Sequence, residues 1–497
     1  MNNVEMVKVL ERIEDKYPVE QWTGGGIAVW PLVRINLFSK FCYLGKQGGD
    51  TAGGKRLATL VSSQLQYLKA KIFDAAHNEN LNGRTADVVF LNNTGCRRQI
   101  GEYWYDVLCD PLIEQFDKAG KRTVTLEFAN DVYRFPRYGK SAFIQPYLDL
   151  LKIRQKLMPR KIDWQLPLFA ECNHELQVGI EGYSGFALDE LQYQLAAIVS
   201  QAEYFFRQLT KLKPSLGFAT IYYNNTCMAF VLACKRAGVR SVDIQHGFQG
   251  PFHPAFGPWK RFPDKGYELM PDYFWNWSKE DSAVIADWNT YKHRPYTGGN
   301  LFLSKWKDQS SDWNRHYGEM AAKLFGAKAD GRAKVLYSLN YDDIPDWITD
   351  AIKRSEDKYV WWIRIHPAML AEKLDQYKRF IAEKKIKNAV IEEPSTWPLP
   401  FLLQYCDVHV TEGSSVVLEA KEYSMASVVM DPVALKVFAE EVSTGLAKYA
   451  DTTGELLAAI EEQEKRSLQM RHNYESKNDL GASGAVSSFL KFTAESS

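Results

Sequence analysis

Residues 333–367, AKVLYSLNYDDIPDWITDAIKRSEDKYVWWIRIHP, decide the fold. AKVLYSLN and KYVWWIRIHP are apolar, β-rich runs, and PDWITDAIKRS between them reads as a helix. Strand–helix–strand order over so short a span implies parallel strands joined by a crossover. The alternation continues toward the C-terminus. A helix over LAEKLDQYKRFIAEKK is followed by AVIEEP (strand), PLPFLLQYC (helix), DVHVTEGSS (strand and turn), VVLEAKEYS (helix) and SVVMDP (strand), and the tail from about 453 to 495 is helical.

The same pattern begins earlier, at Asp87. DVVFLNN is a strand, YWYDVLCDPLIEQFDKAG a helix ending at glycine, and RTVTLEFAN a strand. A long helical section spans about 144–212, with breaks near Pro159 and Pro167. GFATIYYNN, a helix over TCMAFVLACKRAG, and SVDIQHG follow. GFQGPFHPAFGPWKRFPDKGY is too rich in proline, glycine and aromatics for regular structure and reads as a functional loop before the strand PDYFWNWS. Two consecutive doubly wound α/β domains account for this order. The expected divisions are 1–84, a helical N-terminal extension; 85–300, a first Rossmann-like domain; 301–475, a second; and 476–497, a terminal helix.

Composition narrows the function classes. The 497 residues are too many for one ordinary core. Lys+Arg and Asp+Glu are both 61, and this balance gives no reason to expect nucleic acid as a partner. Cys42, Cys96, Cys109, Cys172, Cys227, Cys234 and Cys406 are scattered and form no Cys-x-x-Cys pair, which points to reduced thiols in a cytoplasm and to no metal site. The charged N-terminus lacks the apolar core of a signal peptide, and no apolar run is long enough to span a bilayer. Residues 55–73, KRLATLVSSQLQYLKAKIF, form a basic amphipathic helix that either packs as an ordinary helix or lies on a membrane surface.

In open parallel sheets, ligands sit beyond the carboxyl ends of the strands, so the residues closing each strand carry the candidate chemistry. Arg364 and His366 share a face at the end of WWIRIHP, and Pro367 stops the ladder; the basic pair suits a phosphate. Gly413, Ser414 and Ser415 form a turn at a helix N-terminus, either an anion site or simple capping, and Glu419 lies a turn further on. Asp243, Gln245 and His246 close SVDIQHG; His246 is a candidate general base, and Asp243 a candidate base or covalent nucleophile. Arg97, Arg98 and Glu102 follow the first strand and, together with Gln245, read as an acceptor or donor loop, with an ordinary connecting loop as the plain alternative. Asp-x-Asp, Gly-x-Gly-x-x-Gly, P-loop and Gly-x-Ser-x-Gly signatures are all missing from the chain.

Taken in order, QHG, then PDYFWNW, then His-Pro, then Thr-x-x-Ser-Ser-x-x-x-Glu-Ala resembles bacterial capsule and lipopolysaccharide glycosyltransferases. The likeness spans roughly residues 87–470 and is nearest to enzymes using CMP-activated sugars, the Kdo transferases and bacterial sialyltransferases. It implies a GT-B fold, in which two Rossmann-like domains face a central cleft. It further implies a donor phosphate held by His366, Ser414 and Ser415, a nucleotide sugar as substrate, no metal or other cofactor, and a terminal helix crossing back to the first domain. The acceptor is then a surface glycan or lipid-linked glycan, reached from the cytoplasmic face of the inner membrane. The acidic Asp/Glu-Asp/Glu-Gly motif of the sialyltransferases has no counterpart in the first domain, so the catalytic base stays open between Asp243 and His246. UDP- or GDP-sugar transfer, CDP-polyol phosphate transfer and a non-catalytic scaffold of a polysaccharide assembly complex are the alternatives. A nonhydrolysing sugar-nucleotide epimerase shares the fold, but it acts on the nucleotide sugar alone and needs no large acceptor domain.

Overall fold

A computed structural model describes residues 2–495 apart from 43–64, 66, 69–71, 73, 130–133, 289, 309, 326–330, 341–342, 368 and 475–481. Most of the basic stretch 55–73 therefore lies outside the described residues. The chain forms two compact units, one of Met1–Arg98, Glu102–Leu301 and Ala482–Ser497, the other of Gln99–Gly101 and Phe302–Gly481.

The first unit is built on a seven-stranded sheet. Its strands are β1 (Val88–Asn93), β2 (Thr123–Phe128), β3 (Ala142–Phe143), β4 (Leu216–Thr220), β5 (Arg240–Ile244), β6 (Tyr273–Asn276) and β7 (Arg294–Thr297). They lie in the order β7-β6-β5-β4-β1-β2-β3, and every pairing is parallel. The order reverses between β1 and β4, the switch point of a Rossmann-like sheet. Helices cover both faces, so the central strands are apolar on both sides; every residue of β1 is buried. The helix Asn225–Ala237 lies so close to β4 that a Cβ on Gly217 would come within 2.8 Å of the Cys234 sulfur and 3.1 Å of the Phe230 ring.

The second unit repeats this plan with six strands. They are β8 (Ala333–Ser338), β9 (Tyr359–Arg364), β10 (Ala389–Val390), β11 (Val408–Thr411), β12 (Ser427–Val429) and β13 (Ala447–Tyr449). The order is β10-β9-β8-β11-β12-β13, again all parallel, with the switch point between β8 and β11. His409 is fully buried on β11, its ring nitrogens 3.0 Å from the Ser427 hydroxyl and 3.2 Å from that of Ser338. It ties three neighbouring strands together, and burial lowers its pKa to about 3.

Two local readings of the sequence change. YWYDVLCDPLIEQFDKAG is not one helix: Tyr103–Asp106 is a strand, and the helix starts at Asp110. The Asp106 carboxylate accepts from the backbone N–H groups of Leu108 and Cys109, which turns the chain, and Pro111 suits the first helical turn. The residues before 85 are not an appendage, because their described part belongs to the first unit and its core. The helix Asn3–Lys16 opens on a capping box between Asn2 and Glu5 and buries Leu10 and Ile13. The helix Trp30–Cys42 carries Arg34, which is fully buried with Glu14 as its ion-pair partner. The Arg34 guanidinium also donates to the carbonyls of Pro254 and Pro258, each at 2.8 Å, and stacks 4.3 Å from the Trp259 ring. Glu14 in turn accepts from the Lys260 backbone N–H at 2.6 Å. The proline-rich segment after β5 is thus irregular but fixed, with Ala255, Phe256, Trp259 and Tyr267 buried. At the other end of the chain, the helix Ala482–Glu495 joins the first unit, where Phe489 packs 5.4 Å from Trp275 and the Tyr296 hydroxyl donates to the Ala485 carbonyl.

Removing one partner of a buried ion pair leaves the other charge uncompensated. Arg34→Ala is expected to lower stability by about 3–5 kcal/mol, and Arg34→Lys, which keeps the charge and loses the fork, by less; chemical denaturation checks the ranking. His409 has a folded pKa below its unfolded value, so its contribution is complete above about pH 6.5 and is lost as pH falls from there toward 3. The stability gap between wild type and His409→Asn should therefore shrink by about 1.4 kcal/mol per pH unit below 6.5, as read from denaturant titrations at neutral and mildly acidic pH.

Candidate functional site

The carboxyl edge of the first sheet gathers buried polar atoms that find no hydrogen-bond partner among the described residues. At the end of β1 they are both amide atoms of Asn92 and the hydroxyl of Thr94, each residue fully buried. After β5 they are Oδ2 of Asp243, Nδ1 of His246 and Nε2 of Gln249; at the end of β6 there is Oδ1 of Asn276. Leaving such groups unpaired costs about 1–3 kcal/mol each. A fold tolerates that concentration where a polar ligand completes the bonds, and here it lies along the edge that holds the β1/β4 switch point.

The backbone at this edge is strained. Ile221, just after β4, has φ 60°, a left-handed conformation that a β-branched residue rarely adopts. Two hydrogen bonds hold it: Asn224 N–H donates to the Ile221 carbonyl at 2.8 Å, and Tyr222 N–H donates to Oδ1 of Asp243 at 2.9 Å. Asn224 then caps the helix Asn225–Ala237 through Thr226 N–H. The Tyr222 hydroxyl reaches the Ala255 carbonyl at 2.7 Å and so joins the strained turn to the segment clamped by Arg34.

This placement revises the expected roles on β5. Asp243 is 1% exposed, and burial pushes its pKa well above the carboxylate range. Its Oδ1 accepts from Tyr222 N–H beneath the Ile221–Tyr222 turn, so Asp243 positions that turn. Gln245 is fully buried; its amide accepts from Trp277 N–H at 2.6 Å and donates to the Gly247 carbonyl at 2.9 Å, so it braces strand ends instead of forming an acceptor loop. His246 is different. The residue is half-buried with its Nδ1 enclosed, Nε2 lies 3.2 Å from the Tyr223 hydroxyl, and burial lowers its pKa to about 4. The imidazole is neutral above that pH and able to accept a proton. His253, with its ring 5.5 Å from that of Tyr223, is lowered to about 3 by burial and by the neighbouring His246 and Arg34.

The arginines after β1 are also revised. Arg97 is buried, pairs with Glu127 and Asp110, and donates to the Trp104 carbonyl at 2.8 Å. Arg98 turns back onto the carbonyls of Gly95 and Arg97, while Glu102 is exposed. The polar residues of that stretch facing the edge are Asn92 and Thr94. Neither they nor Tyr223, Gln249, His253 and Asn276 stand out by charge; what marks Asn92 and Asn276 in the sequence is a polar side chain closing an apolar strand.

In the second unit, the predicted phosphate residues lie along the equivalent edge. His366 and Pro367 follow β9, and Gly413, Ser414 and Ser415 follow β11 at the switch point. Thr411 organises that turn: its hydroxyl donates to the Ser338 carbonyl at 2.9 Å and accepts from Ser414 N–H at 3.1 Å. Glu412 accepts from the Tyr337 hydroxyl. The Ser414 hydroxyl accepts from Val416 N–H at 3.4 Å, a weak cap. The helix that follows, Val416–Glu422, has 7 residues, so its dipole adds little, and Glu419 is partly exposed on it. The Arg364 guanidinium donates through Nη1 to the carbonyls of Pro394 and Trp397, bracing β9 against the segment beside it.

Comparison with protein-family models and with curated proteins returns no match. Solved structures are similar in fold. Staphylococcus aureus MnaA, in a co-structure with UDP, superposes with a TM-score of 0.51 over 83% of this chain and 98% of that chain, at 13% identity. A putative UDP-N-acetylglucosamine 2-epimerase from Listeria monocytogenes gives a TM-score of 0.50 over 81% of this chain and 94% of that chain, at 11% identity. The fold is GT-B. The likeness carries that much, and the two Rossmann-like strand orders read from the topology agree with it.

If Asp243 is a neutral brace, the amide should replace it. Asp243→Asn is expected to stay within about 1 kcal/mol of wild-type stability, while Asp243→Ala, which strands the Tyr222 N–H, should lose about 1–3 kcal/mol. Equal and large losses in both would show that an ionised carboxylate is needed.

Proposed function

We propose that this chain is a glycosyltransferase that takes a sugar from a nucleotide donor and delivers it to a bacterial surface glycan or lipid-linked glycan. The observation that carries the reading is the row of buried side-chain polar atoms without a partner among the described residues, on the carboxyl edge of a Rossmann-like sheet within a GT-B fold. A sugar presents hydroxyl groups that donate and accept at once, which suits the open amide atoms of Asn92, the Thr94 hydroxyl, Gln249 Nε2 and Asn276 Oδ1. The second unit supplies a second edge suited to an anion, with the His366 imidazole and the Gly413–Ser415 turn.

In this mechanism the leaving phosphate gathers negative charge, and His366, Ser414 and Ser415 donate to it. His246, neutral in the folded protein, takes the proton of the acceptor hydroxyl. Asp243 keeps the Ile221–Tyr222 turn in place through Oδ1. No metal ion or other cofactor takes part. The order of the His-Pro and Ser-Ser motifs favours a CMP-activated donor of the Kdo or sialic acid kind. A second reading, a UDP-sugar enzyme, is favoured by the fold shared with a protein that binds UDP in its co-structure and with a putative UDP-N-acetylglucosamine 2-epimerase. The site of action is the cytoplasmic face of the inner membrane, with residues 55–73 as one peripheral contact.

A thermal-shift titration with CMP, CDP, UDP and GDP in the presence of EDTA tests the reading. A ligand at about 100 times its Kd adds about 2.7 kcal/mol of stability. Stabilisation by CMP is expected; by UDP alone, it favours the second reading; no response to any nucleotide contradicts both. With the donor identified, His366→Ala should fold normally and lose about 10²–10³ in kcat, measured by release of the nucleotide.

A further inference from the structure

His246 and Tyr223 meet at the carboxyl edge of the first sheet, and their protons can be counted. Nε2 of His246 lies 3.2 Å from the Tyr223 hydroxyl, which has no other hydrogen-bond partner among the described residues. Nδ1 is buried and has no partner among them at all. A neutral imidazole carries one proton and one lone pair on its two nitrogens, and a phenol carries one proton. If Nε2 bore the ring proton, it would donate to the tyrosine oxygen. The tyrosine proton and the Nδ1 lone pair would then both go unmet. With the ring proton on Nδ1, the tyrosine donates to Nε2, and the Nδ1 N–H is the one donor left open. Unmet polar groups are costly when buried, so the second arrangement is favoured. Burial also raises the Tyr223 pKa, which keeps the phenol protonated and a donor.

The fold holds this pair in place. Tyr223 belongs to the turn that begins at the strained Ile221, directly after β4 and next to β1 at the switch point. Its ring packs 5.7 Å from that of Tyr222, 5.5 Å from that of His253 and 6.0 Å from that of Phe256. His253 does not compete for the hydroxyl: its Nδ1 accepts from Ala255 N–H at 3.2 Å. His246 comes from the neighbouring strand, just past the end of β5. In sheet order the pair stands between the open atoms of Asn92 and Thr94 on one side and those of Gln249 and Asn276 on the other. Backbone strain of the Ile221 kind persists where the surroundings over-determine it, and it clusters at reactive sites. Here the residue it presents is Tyr223, which is half-buried.

We infer that Tyr223 is a catalytic residue: its oxygen takes the proton of the acceptor hydroxyl while its own proton passes to Nε2 of His246. The inference rests on the proposed transferase reading and names the route by which His246 receives that proton. The acceptor oxygen, as it loses its proton, bonds to the anomeric carbon of the sugar. The bond from that carbon to the donor phosphate breaks, and the phosphate leaves with the electron pair. His246 ends as an imidazolium, protonated on both nitrogens, and Tyr223 as the neutral phenol it was. Once the product departs, the Nε2 proton returns to water through the same hydroxyl. Nδ1–H is then a hydrogen-bond donor to substrate and not the basic atom.

Ring-nitrogen NMR of the full chain, made with isotope-labelled histidine, tests the relay together with kinetics. The His246 signals are those missing from His246→Gln. In the wild type they should show a protonated Nδ1 and an unprotonated Nε2 that accepts a hydrogen bond. Tyr223→Phe keeps the ring packing and removes the hydroxyl. It should shift the Nε2 signal, keep the wild-type Tm and the KM for the donor, and lower kcat by about 10²–10⁴. An Nε2–H ring in an active wild-type chain overturns the relay and leaves the transferase reading standing. So does a Tyr223→Phe chain with wild-type kcat. A wild-type chain that transfers no sugar from any nucleotide donor overturns both.

Discussion

A buried ion pair near the N-terminus holds the first unit in its working shape. Arg34 and Glu14 sit on two helices, both fully buried, and together they grip the irregular segment after β5 through the Pro254 and Pro258 carbonyls and the Lys260 amide. A chain of prolines, glycines and aromatics has no ladder of its own to fix it, so its backbone groups need partners from outside. The guanidinium supplies several at once in a planar fork, which a lysine does not. From there the constraint passes on: the Ala255 carbonyl receives the Tyr222 hydroxyl, and Tyr222 is held from below by Asp243. The strained Ile221 conformation stands at the end of this series.

The two sheets share one strand order and differ in what they place at the switch point. In the first unit the edge is rich in amides, a hydroxyl and a neutral imidazole, groups that recognise other hydroxyls. In the second it is a Gly-Ser-Ser turn organised by Thr411, with His366 two strands away, after β9. The first edge holds unpartnered polar atoms at a cost in stability, which the apolar strands behind it offset. That division of chemistry follows from neutral side chains closing β1 and β6 and small hydroxyl residues following β11.

Much of the fold was legible because parallel sheets covered on both faces leave a plain trace: short apolar runs, each followed by a helix and a glycine. The strand ends bearing His366 and Ser414 could be placed for the same reason. The N-terminal helices were harder, since an amphipathic pattern shows that a helix has a partner but not which one; Glu14 and Arg34 meet a segment more than two hundred residues away. Charge also misleads about sites. Arg97 and Arg364 drew notice as cations, yet one is neutralised by Glu127, thirty residues on, and the other is bonded to backbone carbonyls. Asp243 and Gln245 share a strand face, as alternation requires, but both are buried and not in solvent. Asn92 and Asn276 carry no charge and no motif, and only the three-dimensional edge gives them meaning.

Hydrogen–deuterium exchange with and without a stabilising nucleotide sugar tests the central claim most directly, that ligand is taken up at the carboxyl edges of the two sheets. The account predicts slower exchange in the segments 92–96, 220–226 and 245–249 of the first unit and 411–416 of the second, with the amino ends of β1 and β4 unchanged. Protection confined to those amino ends, or none at saturating ligand, would contradict it.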